Sequence, residues 1–390
     1  MPKLVTLNDI NLANKRVLLR VDYNVVDDGK IIDDFRIRAS LPTIKYLLEQ
    51  NCSVVIISHN GRPDGKRSEK LSLRPVAKVL PRMLHQDVSF VDDCVGEEAL
   101  SEAEYLRAGD VMLLENLRFH KGEESNSKKF SKELAKLGEV YVDDAFGVMH
   151  RANASTVEVT KFLPSVAGLL VQKEYDTFKE LMKNPKRPYT AVIGGAKISD
   201  KIDVLHELLK HVDAMLIGGA MANTFLASMG HNMQKSLVEK SSIDEAKKII
   251  ETVKKKNIRL VLPLDLVVAQ SIKGNPKVEL ASKLSKNQIA LDIGPDTAKI
   301  FEHIIKISKT IFWNGTLGMA EVEYFAKASE HIAHAMIASK AKTIVGGGDT
   351  AAFVDSKRLE EYFSFVSTGG GASLDMLSGK KLPGLEVLMK

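Results

Sequence analysis

The stretch Ala191-Val192-Ile193-Gly194-Gly195-Ala196-Lys197-Ile198-Ser199-Asp200-Lys201 passes from an apolar run through a glycine pair into a segment where Ile202, Leu205, Leu208 and Leu209 recur. An apolar run without polar alternation suits a strand buried on both faces, and the recurrence at three and four residues suits an amphipathic helix. Similar apolar runs stand at Val17–Val21, Val54–Ser58, Val111–Leu114, Val140–Val142, Ala214–Ile217, Leu260–Leu262, Thr310–Phe312 and Thr343–Val345. A second helical period covers Ile37–Gln50 through Ile37, Leu41, Ile44, Leu47 and Leu48. Strand and helix alternate, which predicts an α/β fold with parallel sheets.

With 390 residues the chain exceeds the size at which one core stops growing, so two domains are expected. The helix-like Leu169–Met182, followed by Lys183-Asn184-Pro185-Lys186-Arg187-Pro188, predicts the boundary. An N-terminal domain then covers 1–168, an interdomain helix 169–184 and a C-terminal domain 185–373. The 44% hydrophobic and 27% charged residues are those of a globular chain rather than a disordered one. The net charge of +5, without a basic run, gives no reason to expect nucleic acid. Cys52 and Cys94, the only cysteines, make no disulfide framework and fit a reducing, cytoplasmic compartment. Met1–Asn11 lacks the apolar core of a signal peptide. Apolar stretches such as Val54–Ile57 and Val166–Val171 fall short of the roughly 20 residues that span a bilayer, so no membrane partner is expected.

Gly194-Gly195, Gly218-Gly219, Gly346-Gly347-Gly348 and Gly369-Gly370-Gly371 each end an apolar run, and all lie after the boundary. Loops without side chains at the carboxyl ends of parallel strands let backbone N–H groups reach phosphates, so the second domain is expected to hold a nucleotide. Neither the Walker A pattern nor the protein-kinase motif set is present. Gly346 to Ala351 matches the loose dinucleotide pattern G-x-G-x-x-A, which leaves an NAD-dependent dehydrogenase as an alternative. That reading needs an acidic residue about 20 positions on, where Ser367–Gly370 has none. Asp349 would also set a negative charge beside a pyrophosphate unless a metal ion lay between them.

In the first half the residues after apolar runs are basic or polar. Arg20, Asp22 and Asn24 follow the first run, Arg36 and Arg38 open a helix, His59 and Arg62 follow another run, and Arg118 and Arg151 come later. Converging on one sheet edge, these groups would trap a small, multiply charged anion. Each arginine alone also reads as a solvated surface residue, His59 as a turn-capping histidine, and Asp22 as a partner for a neighbouring arginine.

At these residues the chain resembles the phosphoglycerate kinase family, and the likeness covers nearly its whole length. Arg20-Val21-Asp22-Tyr23-Asn24-Val25, Ser58-His59-Asn60-Gly61-Arg62-Pro63, Leu114-Glu115-Asn116-Leu117-Arg118-Phe119 and Asp144-Ala145-Phe146-Gly147 carry it in the first half. Gly194 through Lys201, Gly218 through Phe225, Asp292-Ile293-Gly294-Pro295, Trp313-Asn314-Gly315, Gly346 to Thr350 and Ser367 to Ala372 carry it in the second. The resemblance implies two Rossmann-like domains joined by a hinge that closes, with the C-terminal segment 374–390 returning to the N-terminal domain. It implies reversible phosphoryl transfer between ATP and the carboxylate of 3-phosphoglycerate in glycolysis and gluconeogenesis, with Mg²⁺ on the nucleotide and the protein a monomer.

By the same resemblance Asp22, Asn24, Arg36, His59, Arg62, Arg118 and Arg151 bind 3-phosphoglycerate, and Arg36, Lys197 and Lys201 serve the moving phosphoryl group. Gly195, Lys201, Gly219, Asn314, Gly346, Gly347, Gly348, Asp349 and Thr350 fall in nucleotide loops, Glu321 matches the ribose contact, and Asp349 stands near Mg²⁺. Val26 and Thr316 replace prolines of the family wording, Asn60 a leucine and Asn153 a histidine. A catalytically inactive binding protein of the same fold is the remaining alternative, though Arg36, Lys197, Lys201 and Asp349 are all present.

Overall fold

A computed structural model describes residues 3–390. The chain forms two compact units, one made of the residues up to Asp176 together with Lys381–Lys390, the other of Thr177–Lys380.

The first unit contains β1 (Arg16–Arg20), β2 (Val26–Asp27), β3 (Lys30–Ile31), β4 (Ser53–Ile57), β5 (Val88–Val91), β6 (Val111–Leu114), β7 (Val140–Asp143) and β8 (Ser165–Ala167). Six of these make one parallel sheet in the order β5-β6-β4-β1-β7-β8, while β2 and β3 form a small antiparallel hairpin. The apolar runs are continuous because both faces of this sheet are covered. Val17, Leu19, Val54, Ile56, Val111 and Leu113 enter one core with Ile37, Ile44, Leu47, Val76 and Leu80 from the helices Phe35–Glu49 and Arg74–Leu84. Leu18, Val55, Ile57, Met112, Leu114 and Tyr141 enter the opposite core with Phe130 and Leu134 from the helix Lys128–Ala135. Each of these buried aliphatic side chains contributes about 1.5–3 kcal/mol, and the alternation fixes strand register.

The second unit contains β9 (Tyr189–Ile193), β10 (Ala214–Ile217), β11 (Arg259–Val261), β12 (Asp265–Ala269), β13 (Lys277–Leu280), β14 (Ile289–Ile293), β15 (Thr310–Asn314), β16 (Lys342–Gly346) and β17 (Phe365–Val366). A parallel sheet runs β11-β10-β9-β15-β16-β17. A separate antiparallel sheet, β13-β12-β14, departs from the purely parallel expectation. It buries one face, through Leu266, Val268 and Ala290, against Leu226 of the helix Gly219–Ser228, which leaves Val278 and Leu280 of β13 exposed.

The helix Leu169–Lys183 runs through the point at which the units divide. The chain's end is tied into the first unit: Val5 N donates to Leu388 O at 2.9 Å, Lys390 N to Lys3 O at 2.9 Å, and Gly384 N to Met149 O at 2.9 Å. No helix among the described residues is long and apolar enough to cross a membrane.

Candidate functional site

Parallel strands send their following loops to one sheet edge, so the residues after β1, β4, β6 and β7 come together although far apart in sequence. They line a cavity of about 240 Å³ formed by Asp22, Asn24, Arg36, His59, Gly61, Arg62, Arg118, Gly147, Val148, His150 and Arg151. All seven residues expected at an acid site are among them, with Gly61, Gly147, Val148 and His150 in addition. Arg38 is not among them; it pairs with Asp34 at 2.8 Å.

The loops are held by their own polar atoms. Asn24 Oδ1 accepts from Gly61 N at 2.8 Å, Arg36 Nη1 donates to Asn24 O at 3.1 Å, and Arg118 Nη1 donates to Gly61 O at 2.7 Å. Behind them lies Arg20, fully buried, donating to Ser155 Oγ at 2.9 Å, to the Val21 carbonyl and to His59 Nδ1, 3.2 Å away. A guanidinium only donates, so His59 Nδ1 accepts and the proton of the neutral ring sits on Nε2. Burial holds the His59 pKa well below its ordinary value, against Asp22 and with help from Arg20, Arg118 and Arg36. The 3.9 Å approach of His59 to Asp22 is therefore not an ion pair at neutral pH. Burial also acts to raise the Asp22 carboxyl, but Arg36 and Arg20, with the Asn24 amide, outweigh it and hold the pKa below the usual value. Burial lowers the Arg118 pKa, as do Arg20 and Arg151, although Glu124 opposes them. Four arginines thus line the cavity with one aspartate, a concentration of like charge that an entering polyanion relieves.

In the second unit the loops after β9, β10, β15 and β16 meet in the same way. Gly194 N donates to Asn314 O at 2.9 Å, Gly195 N to Thr316 O at 3.0 Å, Gly219 N to Leu317 O at 2.8 Å, and Met221 N to Gly195 O at 2.9 Å. The loops approach so closely that a Cβ on Gly219 would stand 2.6 Å from Gly195 O and one on Gly194 would stand 2.1 Å from Thr316 O. Asn314 Nδ2 donates to Gly346 O at 2.7 Å, and Thr350 Oγ1 accepts from Gly315 N at 2.6 Å. Lys201 Nζ donates to Gly194 O at 2.8 Å and Asn314 O at 3.3 Å; burial lowers its pKa to about 8 against Asp349 and Asp200. Gly348 and Asp349 open the helix Gly348–Ser356, whose free N–H groups and positive dipole end suit phosphate.

Lys197 and Glu321 are exposed and make no side-chain hydrogen bond or ion pair among the described residues. Glu321 lies in the loop after β15. The exposed Asp349 carboxylate, beside N–H groups suited to phosphate, fits Mg²⁺, which takes one or two carboxylates and completes its shell with phosphate and water. Arg20, expected to converge on the cleft with the other basic groups, does not line this cavity but supports it from behind as a fully buried donor.

The sequence profile of phosphoglycerate kinase matches residues 7–380. The chain belongs to the phosphoglycerate kinase family. The phosphoglycerate kinase of Finegoldia magna is 48% identical over 388 residues, covering 98% of both chains. That of Moorella thermoacetica is 48% identical over 391 residues, 100% of this chain and 99% of its own. Among solved structures, the phosphoglycerate kinase of Coxiella burnetii matches with a TM-score of 0.87 at 38% identity, covering 99% of both chains. Family membership makes the chain a kinase, and neither the dehydrogenase nor the inactive reading finds support in the comparisons.

Proposed function

We propose that the protein reversibly transfers a phosphoryl group between Mg-ATP and the carboxylate of 3-phosphoglycerate, giving ADP and 1,3-bisphosphoglycerate. The observation that carries this reading is the cavity lined by Arg36, Arg62, Arg118 and Arg151, in a chain of this family. Its charge and size suit a three-carbon acid bearing a phosphate. Arg62, Arg118 and Arg151 hold the phosphate and carboxylate, while Asp22, Asn24 and the His59 Nε2–H orient the hydroxyl on the carbon between them. A substrate carboxylate has a pKa near 4 and is already ionised, so the reaction needs no general base. A neutral His59 is consistent with that.

The remaining task is electrostatic. Arg36 offsets charge between the carboxylate and the transferring group, and Lys197 and Lys201 do so from the nucleotide side. The glycine loops bind the nucleotide, with Gly195, Gly219, Asn314, Gly346, Gly347, Gly348 and Thr350 around it and Glu321 at the ribose. Asp349 would hold Mg²⁺, which when bound neutralises phosphate charge. Acid and nucleotide meet when the two units close, and closure excludes water that would hydrolyse the acyl phosphate. The protein works as a cytoplasmic monomer in glycolysis.

A coupled assay with 3-phosphoglycerate and Mg-ATP tests the reading. The wild type turns over, and Arg36→Ala loses roughly 10² to 10³ in kcat, equivalent to about 3 kcal/mol, with a smaller change in KM. No turnover by the wild type overturns the function; an unchanged kcat with a raised KM overturns the role of Arg36 alone.

A further inference from the structure

Asp93 and Cys94, in the loop that follows β5, and His120, at the end of the 3₁₀ turn Leu117–Phe119, bring a carboxylate, a thiol and an imidazole together outside the residues assigned above. Their ligand atoms all lie within 4.8 Å of one another. We propose that these three residues form a binding site for a thiophilic divalent transition metal of the zinc class.

The donor set selects the ion. One thiolate, one imidazole and one carboxylate suit Zn²⁺ or Co²⁺, whereas Mg²⁺ and Ca²⁺ prefer oxygen ligands alone. Three protein ligands leave a fourth tetrahedral position for water. The three donors also sit at graded depth: Cys94 is buried, while Asp93 and His120 are partly exposed, so an ion enters past the outer pair and reaches the sulfur at the floor.

The ring is placed before any metal arrives. His120 N donates to Leu117 O at 3.1 Å, and the imidazole stacks on Phe130 with centroids 5.2 Å apart. His120 Nε2 now lies 2.6 Å from Asp93 Oδ1. Ligand atoms about 2.0–2.1 Å from a tetrahedral ion stand roughly 3.3 Å apart, so the ion inserts between them, opens that contact by less than an ångström and replaces it with two bonds. The thiol approaches the same centre and gives up its proton to solvent as the metal–sulfur bond forms. Asp93 is already oriented, since its Oδ1 accepts from Cys94 N at 2.6 Å.

The test is a titration of the untagged full chain with Co²⁺, read by the sulfur-to-cobalt charge-transfer absorption that only a thiolate ligand produces. The expected result is one Co²⁺ per chain, displaced by Zn²⁺. Cys94→Ser removes the band; Asp93→Asn and His120→Gln, both at partly exposed side chains, each weaken binding at least about tenfold, as loss of one ligand of three should. Cys52→Ala leaves the band in place. A wild type without the band, a band that survives Cys94→Ser, or affinity unchanged in both Asp93→Asn and His120→Gln overturns the site. Circular dichroism of each variant separates lost ligation from lost fold.

Discussion

The amide of Val26 donates to Asn60 Oδ1 at 3.0 Å, and Asn60 Nδ2 returns to Val26 O at 2.9 Å. These are two of the positions at which the chain departs from its family's wording, and they answer one another. A proline at 26 has no N–H to satisfy and a leucine at 60 offers no acceptor; Val26 brings a buried donor and Asn60 pairs it. Asn60→Leu alone therefore strands the Val26 amide and costs about 1–3 kcal/mol, while Val26→Pro added to it costs less than the two single changes predict. Urea unfolding of the four members of the cycle measures the coupling, and strict additivity would contradict the pairing. Thr316, a third departure, keeps the carbonyl that accepts from Gly195 N at 3.0 Å, a contact a proline there would also offer.

Lys201 sets a pH dependence at the same scale. Burial lowers its pKa to about 8, whereas an unfolded lysine titrates near 10.4. Between those values the unfolded chain binds one more proton than the folded one, so this residue makes stability rise with pH across that window, by about 3 kcal/mol in all. The ligand-free wild type should accordingly gain stability relative to Lys201→Met between pH 7.5 and 10 in urea unfolding, and a constant difference would show that the ammonium is not buried. Residues of this kind were only partly legible in advance. Asp22, His59, Arg62, Arg118 and Arg151 come after apolar runs and Arg36 opens a helix, which suggested an anion site, while their assignment to 3-phosphoglycerate came from the family resemblance. Arg20 stands beside them in sequence, but its part depends on Ser155, 135 residues away, which no local pattern displays.

At the scale of elements, strands with unbroken apolar runs were readable because both faces of the sheets are covered, and helices because one face is apolar. Val88–Val91 was not, since Ser89 and an exposed edge break the run, and β12 to β14 were not, since half of that sheet faces solvent. Leu169–Lys183 was legible from its period and the prolines after it. Its start is fastened to the first unit by the buried Asp144, whose Oδ1 accepts from Leu170 N at 2.9 Å; burial pushes that carboxyl up to about 7. A Cβ on Gly168 would meet the same oxygen at 2.2 Å, so the chain enters the helix only through glycine. The proposed closure uses this helix, anchored at one end in the first unit, as its hinge. Small-angle scattering should show a smaller radius of gyration with 3-phosphoglycerate plus a non-reactive Mg-nucleotide than with either alone, because each ligand by itself favours neither form strongly. A radius identical in all four states, the free protein included, would mean that closure is absent or already complete without ligand, and would contradict the hinge account.

For the whole molecule, the same rule operates twice: each parallel sheet gathers its loops at the carboxyl edge, once with arginines and once with glycines. The first arrangement suits a small polyanion and the second suits a nucleotide's phosphates, so the proposed chemistry is the passage of one phosphoryl group from the second site to the first. The direct test is to incubate the protein with ATP labelled at the γ-phosphate, Mg²⁺ and 3-phosphoglycerate in the presence of hydroxylamine, which takes the acyl group as its hydroxamate and releases the labelled phosphate. The hydroxamate, labelled inorganic phosphate and ADP should form in equal amounts, and only when the acid is present with ATP; label that stays on ATP, or appears as inorganic phosphate whether or not the acid is there, would contradict the account.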